Sequence, residues 1–153
     1  MTAKQYLAQL AKLKVNIGIL QEAIIRERSK LESTSVPLKP DKVQSSQHGD
    51  VFADAIARLA DKDMQRREMM LIYEMLYDQI VDQILDIPDS LESLVLYQRY
   101  VKTTPDGLFR PWKVISDEQH YSIQYLAKVH KEALVTFTKR YGPNFLPVYK
   151  NMR

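Results

Sequence analysis

The sequence predicts an all-α protein, with two long N-terminal helices (a coiled-coil-like hairpin) followed by a C-terminal helix-turn-helix bundle. Apolar residues recur every three or four positions over most of the chain, which is the spacing of one helix face. Glycine is scarce, with 4 among 153 residues, so few tight turns are expected. Hydrophobic residues make up 45% and charged residues 27% of the chain, which is the composition of a globular protein.

The first predicted helix covers residues 3–33. Its apolar positions are separated by four and three residues, the heptad pattern that holds helices side by side. Glu27 interrupts the series, and Gly18 is a weak point costing about 1 kcal/mol relative to alanine. The apolar positions are Tyr6, Leu10, Leu13, Ile17, Leu20, Ile24 and Leu31.

A second long helix is predicted over about residues 51–86, with Asp50 as its N-cap. The preceding stretch, residues 34–50, contains two prolines, a glycine and many small polar residues, and it predicts a loop. Asp63 and Arg66 occupy the middle of the apolar seam, where polar groups can determine register or partner choice. A single hairpin would leave much of this seam exposed, so we expect a homo-oligomer. The seam residues are Phe52, Ile56, Leu59, Met70, Tyr73, Tyr77, Ile80, Ile84 and Ile87.

Three shorter helices are expected in the C-terminal part, over residues 88–102, 111–119 and 122–141. Proline suits the first turn of a helix, and Asp89 or Ser90 can cap the first of these helices. The sequence therefore predicts three regions. Residues 1–87 form the helical hairpin and oligomerisation region, residues 88–142 the helix-turn-helix domain, and residues 143–153 an apolar tail.

Composition argues against several classes of function. The chain has no cysteine and only three isolated histidines, without metal-ligand spacing. No phosphate-binding loop, dinucleotide fingerprint or nucleophile elbow is present, so we expect neither an enzyme nor a cofactor. No apolar run is long enough to span a membrane, and no signal peptide is visible. A cytoplasmic protein is the expectation.

Charge is distributed unevenly along the chain. Residues 51–90 carry a net charge of −5, whereas residues 91–153 carry +5, with 10 Lys and Arg against 5 Asp and Glu. A basic C-terminal third is typical of a segment that meets a polyanion. Ordinary variation in surface charge is the alternative reading.

The C-terminal pattern matches a helix-turn-helix that binds double-stranded DNA. A helix of about nine residues, the turn His-Tyr-Ser and a serine-capped longer helix follow one another. The first turn of the second helix would meet base edges in the major groove. Base-edge candidates are Ser122, Ile123, Gln124, Tyr125 and Lys128. Phosphate-contact candidates are Arg110, Lys113, Lys131, Lys139 and Arg140.

The opposite face of these two helices is expected to be core. Apolar residues follow Ser122 at the spacing of one buried helix face, and His130 is expected to be a satisfied interior histidine. A plain three-helix core with no DNA contact remains the alternative. The predicted inward positions are Trp112, Val114 or Ile115, Tyr121, Leu126, Val129, Ala133, Leu134 and Phe137.

The segments LYQRYV (96–101) and WKVISDEQHYSIQYLAKVHKEAL (112–134) resemble the end of the RinA/ArpU-type phage transcriptional regulators, whose helix-turn-helix is similar to region 4 of sigma-70 factors. The N-terminal KQYLAQLAKLKVNI and the loop KVQSSQHGD are also similar to small proteins of this family. The insert TTPDGLFRP lengthens one loop, and Ser116 and Gln119 replace an alanine and an apolar residue of the family pattern. The residues that fit that pattern in order are Arg99, Tyr100, Trp112, Ile115, Tyr121, Ser122, His130, Ala133 and Leu134.

The resemblance implies a phage or prophage regulator in the bacterial cytoplasm that activates late genes and contacts host RNA polymerase. Two alternatives remain open. A small terminase subunit also combines oligomerising helices with a helix-turn-helix, although usually at its N-terminus. A coiled-coil adaptor would bind protein and have no salt-dependent affinity for DNA.

Overall fold

The protein is all-α, as predicted. A computed structural model describes the backbone of residues 1–34 and 47–148 and the side chains of residues 1–33 and 51–148, and every regular element in these ranges is helical. We number the α-helices in chain order. They are α1 (Ala3–Leu7), α2 (Gln9–Thr34), α3 (Gln47–Leu85), α4 (Ser90–Leu96), α5 (Trp112–Gln119) and α6 (Ile123–Tyr141). A π-helical turn, Tyr97–Val101, continues α4, and a 3₁₀ turn, Gly142–Asn144, follows α6.

The predicted first helix is nearly continuous, with one irregular residue at Ala8. It begins at a capping box, in which the Thr2 hydroxyl accepts from the Gln5 backbone N–H at 3.2 Å and the Thr2 N–H donates to the Gln5 side chain at 2.9 Å. These two bonds satisfy backbone donors that a helix N-terminus leaves unpaired. The N-terminus of the helix is therefore held in a defined position.

The third helix begins earlier than the sequence predicts. It begins at Gln47, so the prediction that Asp50 is its N-cap is wrong, because Asp50 lies inside the first turn. The expected loop falls largely on residues 35–46, outside the described residues. The cap predicted for the next helix is confirmed, since Asp89 accepts from the N–H groups of Leu91 and Glu92 at 2.8 and 3.0 Å.

The chain divides into two compact units, and the boundary differs from the one predicted at residue 87. One unit comprises Met1–Val15 and Leu71–Arg153, and the other comprises Asn16–Met70. The physical reason is that the apolar faces at the start of the chain and at the end of α3 are buried with the C-terminal helices. This shared core contains Tyr6, Leu7, Leu10, Leu13, Leu76, Ile80, Ile84, Ile87, Leu96, Tyr100, Val101, Ala133, Phe137 and Phe145.

An aromatic stack lies at the centre of the first unit. The ring of Tyr6 lies 4.7 Å from that of Phe145 and 6.2 Å from that of Phe137, measured between centroids. Phe137 and Phe145 are themselves stacked at 5.6 Å. Each such ring pair contributes about 0.5–1.5 kcal/mol of stability beyond the free energy gained by burying its apolar surface.

The tail after α6 is part of this unit rather than a separate segment, as far as residue 148. The buried side-chain amide of Gln9 donates to the Leu146 carbonyl at 3.3 Å and accepts from the Val148 N–H at 2.7 Å. Phe145 is buried beside it. Over this stretch the apolar tail therefore packs on the rest of its own unit.

The second unit is a pair of helical segments with an incomplete apolar seam. Lys62 of α3 pairs with Glu27 of α2 at 3.4 Å, and Ile24 is buried. In contrast, Phe52 and Ile56, at the start of the predicted seam, are 50% and 46% exposed. This half of the seam is therefore open to solvent.

Candidate nucleic-acid interface

Helices α5 and α6 form the two arms of a helix-turn-helix. The turn at His120 has a positive φ of 60°, and its N–H donates to the Ser116 carbonyl at 2.9 Å. The Ser116 hydroxyl also donates to the Tyr121 carbonyl at 2.5 Å. The left-handed conformation is strained for most residues other than glycine and, to a lesser extent, asparagine and aspartate, and these hydrogen bonds hold the backbone in that conformation.

The serine cap predicted for the second arm is present. The Ser122 hydroxyl accepts from the Tyr125 N–H at 3.2 Å, which satisfies one unpaired donor of α6. The first turn of α6 is thereby ordered and exposed to solvent.

A small apolar cluster packs the two arms against α4. Ile115, Leu126, Val129 and Val95 of α4 are buried together. Of the two alternatives predicted for the inner position of α5, Ile115 is the buried one, and Val114 is exposed. The polar face of α6 is therefore turned away from this cluster.

The base-edge candidates are all at the surface. Gln124, Lys128 and Ser122 are exposed, and Ile123 and Tyr125 are 45% and 44% exposed. All five lie outside the core, and the Ser122 hydroxyl also caps α6.

Tyr121 was predicted to be inside, and that prediction is wrong. It is 40% exposed, and its ring lies 5.5 Å from that of Tyr125. Because Ile115 and Leu126 already fill the space beneath the turn, Tyr121 joins the surface. Tyr121 precedes the Ser122 cap of α6, so helical spacing gave no signal for the direction of its side chain.

Three of the phosphate candidates lie on the surface as expected. Lys113, Lys131 and Lys139 are exposed. Along α6, the positions Gln124, Lys128, Lys131, Val135 and Lys139 follow one another at spacings of four, three, four and four. This spacing places them on one face, which runs the length of the helix opposite the core.

Arg110 does not belong to this surface, so its assignment as a phosphate contact is wrong. It is 7% exposed, donates to the Gln98 side-chain oxygen and pairs with Glu118 at 2.5 Å. The guanidinium beside Glu118 lowers the pKa of that carboxyl. Arg110 is held inside the loop between the π-helical turn and α5, because a buried cation needs such partners.

Arg140 is exposed but already engaged. It lies 2.6 Å from Asp86, and the Tyr141 hydroxyl donates to the same carboxylate at 2.5 Å. The Tyr141 hydrogen bond first, and then the Arg140 charge, lower the pKa of Asp86. A phosphate at Arg140 would have to compete with this carboxylate.

A second cation, the partly buried Arg99, supports the first arm. Its guanidinium lies 5.2 Å from the ring centre of Phe109 and 4.9 Å from that of Trp112, and it donates to the Arg110 carbonyl. Such cation–π contacts contribute about 0.5–2 kcal/mol. Arg99 therefore ties the 102–111 loop to α5.

His130 is an interior histidine, as predicted. Its Nε2 lies 2.9 Å from the Tyr100 hydroxyl, and burial raises the pKa of Tyr100 to about 12, so the hydroxyl keeps its proton and donates. Burial first, and then the charges of Arg99 and Lys4, lower the pKa of His130 to about 4. The imidazole is consequently neutral near pH 7.

This lowered pKa predicts a loss of stability in mild acid. In the unfolded chain the histidine has its ordinary pKa of about 6.5, so the unfolded state binds the proton first as pH falls. As pH falls, the contribution of His130 to the free energy of unfolding should decrease between about pH 6.5 and about pH 4 and change no further below that. The imidazole is only partly buried, so we expect a loss of about 1–2 kcal/mol.

Denaturant unfolding at about pH 7 and about pH 4.5 tests this expectation. His130→Gln can still accept from Tyr100 but cannot titrate, so the difference between the two pH values should shrink. His120→Asn replaces an exposed histidine with a residue that tolerates a positive φ, and it should retain the wild-type pH dependence. An undiminished pH dependence in His130→Gln would contradict the assignment to His130.

Among the described residues, neither a metal site nor a membrane segment is seen. Over the described side chains, no group of three or more His, Asp or Glu is arranged to hold a metal ion. No helix within the described ranges has the length and apolar character needed to cross a membrane. Comparisons with protein-family models, with curated proteins and with solved structures find no match to this chain.

Proposed function

We propose that the protein is a phage or prophage transcriptional regulator that binds double-stranded promoter DNA through α5 and α6. The observation that carries the proposal is the first turn of α6. It is capped by Ser122 and exposed, and it presents Gln124 and Tyr125 at the start of a basic helix face. A glutamine can make a two-point contact with adenine in the major groove, and lysines reach guanine or phosphate.

The regulatory role rests on the resemblance to the RinA/ArpU-type regulators. Within this proposal the protein works in the bacterial cytoplasm, activates late genes and contacts host RNA polymerase. The residues Arg99, Tyr100, Trp112, Ile115 and His130 fit the family pattern, and in the structure they pack around the base of the helix-turn-helix. This packing offers a structural reason for the resemblance, because these residues support the two helices that would bind DNA.

Self-association belongs to the same proposal. Phe52 and Ile56 are about half exposed, and Met70 is 41% exposed. An apolar stripe of this kind is normally covered by another helix. A second copy of the chain would cover the stripe and present two helix-turn-helix units to a two-fold symmetric operator.

Two substitutions in α6 separate base reading from phosphate binding. Gln124→Ala should relax sequence preference at one position by about 1–3 kcal/mol, since it removes a base-edge contact. Lys131→Ala should weaken binding to all sequences alike and reduce the salt slope by about 1. Titrations of a selected duplex and of single-base variants measure both effects. Equal, sequence-independent losses from both variants would contradict base reading by Gln124.

The experiment that tests the proposal as a whole is a binding-site selection with the purified protein, followed by a salt series on the selected duplex. Recovery of a defined sequence, with affinity falling steeply as salt rises, is the expected result. Ring assembly without a defined site would favour a packaging protein of the small-terminase kind. Absence of any salt-dependent DNA affinity would favour a protein-binding adaptor.

A further inference from the structure

A groove lies between the start of the chain and α6. It has a volume of about 370 Å³ and brings Lys4 beside a helix more than one hundred residues away in sequence. One wall comes from the N-terminal segment and the other from α6. The residues that line the groove are Thr2, Ala3, Lys4, Lys131, Leu134, Val135, Thr138 and Lys139.

The N-terminal wall is held rigidly. Tyr6, two residues after Lys4, is buried against Phe137 and Phe145, and its hydroxyl is hydrogen-bonded to Gln79 and Gln83 at 2.9 and 3.1 Å. The capping box at Thr2 fixes the preceding residues. Lys4 therefore lies on an ordered helix, α1, and its side chain is exposed.

The groove has an apolar floor and a cationic rim. Ala3, Leu134 and Val135 contribute carbon to its walls, and Lys4, Lys131 and Lys139 contribute the charges. Of the described residues that line the groove, none is acidic. Lys131 also lines an adjacent cavity together with Glu92 and Glu132, so within the groove itself the opposite charge for Lys4 and Lys139 would come from a ligand.

We infer that this groove receives the sugar–phosphate backbone of DNA, with Lys4 as a phosphate contact supplied by the N-terminal helix. The inference rests on the proposed function and deepens it. A DNA strand alternates an anionic phosphate with a deoxyribose ring that is largely carbon, which matches charged lysine heads around an apolar floor. The groove continues the exposed face of α6 beyond Lys128, where a helix leaving the major groove would cross the backbone.

Two lysine substitutions and one conservative variant test the role of Lys4. Fluorescence anisotropy with the selected duplex and an unrelated duplex, between about 0.05 and 0.2 M salt, gives affinity and salt slope. Lys4→Ala should weaken binding to both duplexes by about three- to tenfold and make the slope less steep by about 0.9. Lys4→Arg, which keeps the charge, should retain both values near wild type.

Lys12→Ala is the matched control, because Lys12 is exposed on the adjacent helix α2 and does not line the groove. If the wild-type protein binds DNA but Lys4→Ala and Lys12→Ala show the same affinity and salt slope, the inference about Lys4 is overturned, whereas the proposed function is not. A wild-type protein without salt-dependent affinity for DNA would overturn the proposed function and the inference together. If Lys4→Ala lost affinity for poly-glutamate but not for DNA, the groove would be a site for acidic polypeptide, and the inference would be wrong.

Discussion

Replacing Phe137 by alanine is expected to lower the free energy of unfolding by about 3–5 kcal/mol. Phe137 is fully buried on α6, and its ring contacts those of Tyr6, Tyr141 and Phe145 at centroid distances of 6.2, 5.3 and 5.6 Å. The substitution removes ring stacking and leaves a cavity that three separate parts of the chain line. A loss of this size is a large fraction of the stability of a typical domain.

Val135→Ala provides the matched control for this prediction. Val135 lies two residues away on the same helix, but it is 49% exposed, so little buried area is lost. Urea unfolding of both variants at one pH should therefore separate them by at least about 2 kcal/mol. A loss in Phe137→Ala no larger than that in Val135→Ala would mean that the aromatic stack does not hold the unit together.

Arg110→Ala is expected to cost about 2–3 kcal/mol of stability without removing a DNA contact. The substitution takes away the partner of the buried Gln98 amide and of the Glu118 carboxylate. Because Glu118 is 45% exposed in its side chain, water can replace its lost partner, which keeps the expected loss below that of a fully buried pair. The unpaired Gln98 accounts for most of the cost.

Lys113→Ala is the counterpart on the surface. Lys113 lies three residues further along the chain and is exposed, so its loss should leave stability within about 0.5 kcal/mol of wild type. In DNA titrations it should reduce the salt slope by about 1, whereas Arg110→Ala should leave the slope unchanged once folding is complete. A reduced slope in a folded Arg110→Ala protein would restore Arg110 as a phosphate contact.

The local features of the helix-turn-helix could be read from the sequence because each depends on neighbours in the chain. Ser122 caps the helix that it precedes, and the residues facing the core recur at helical spacing. The exposed position of Tyr121 could not be predicted in this way. Its side chain belongs to the turn rather than to a helix, so periodicity carried no information about the direction in which it points.

Arg110 and Lys4 show the same limit for charged residues. An arginine in a basic, loop-rich stretch predicts a surface contact, and only packing against Gln98 and Glu118 makes it an internal residue. Lys4, in contrast, has no nearby sequence feature that links it to DNA. Its position in the groove depends on where Tyr6 is buried.

The sequence by itself determined the all-α class, the long helices, the capped turn and the exposed face of α6, because these follow from short-range periodicity and capping. Only the tertiary structure decided how the long helices are shared between the two units. The apolar seam of α3 reads as one continuous stripe in the sequence. Its last part is buried in the shared core with Leu10, Leu13 and Phe137, whereas Phe52 and Ile56 remain about half exposed. Hydrophobic burial is non-directional. The apolar stripe of α3 therefore indicates how much apolar surface must be covered, but not which part of the chain covers it.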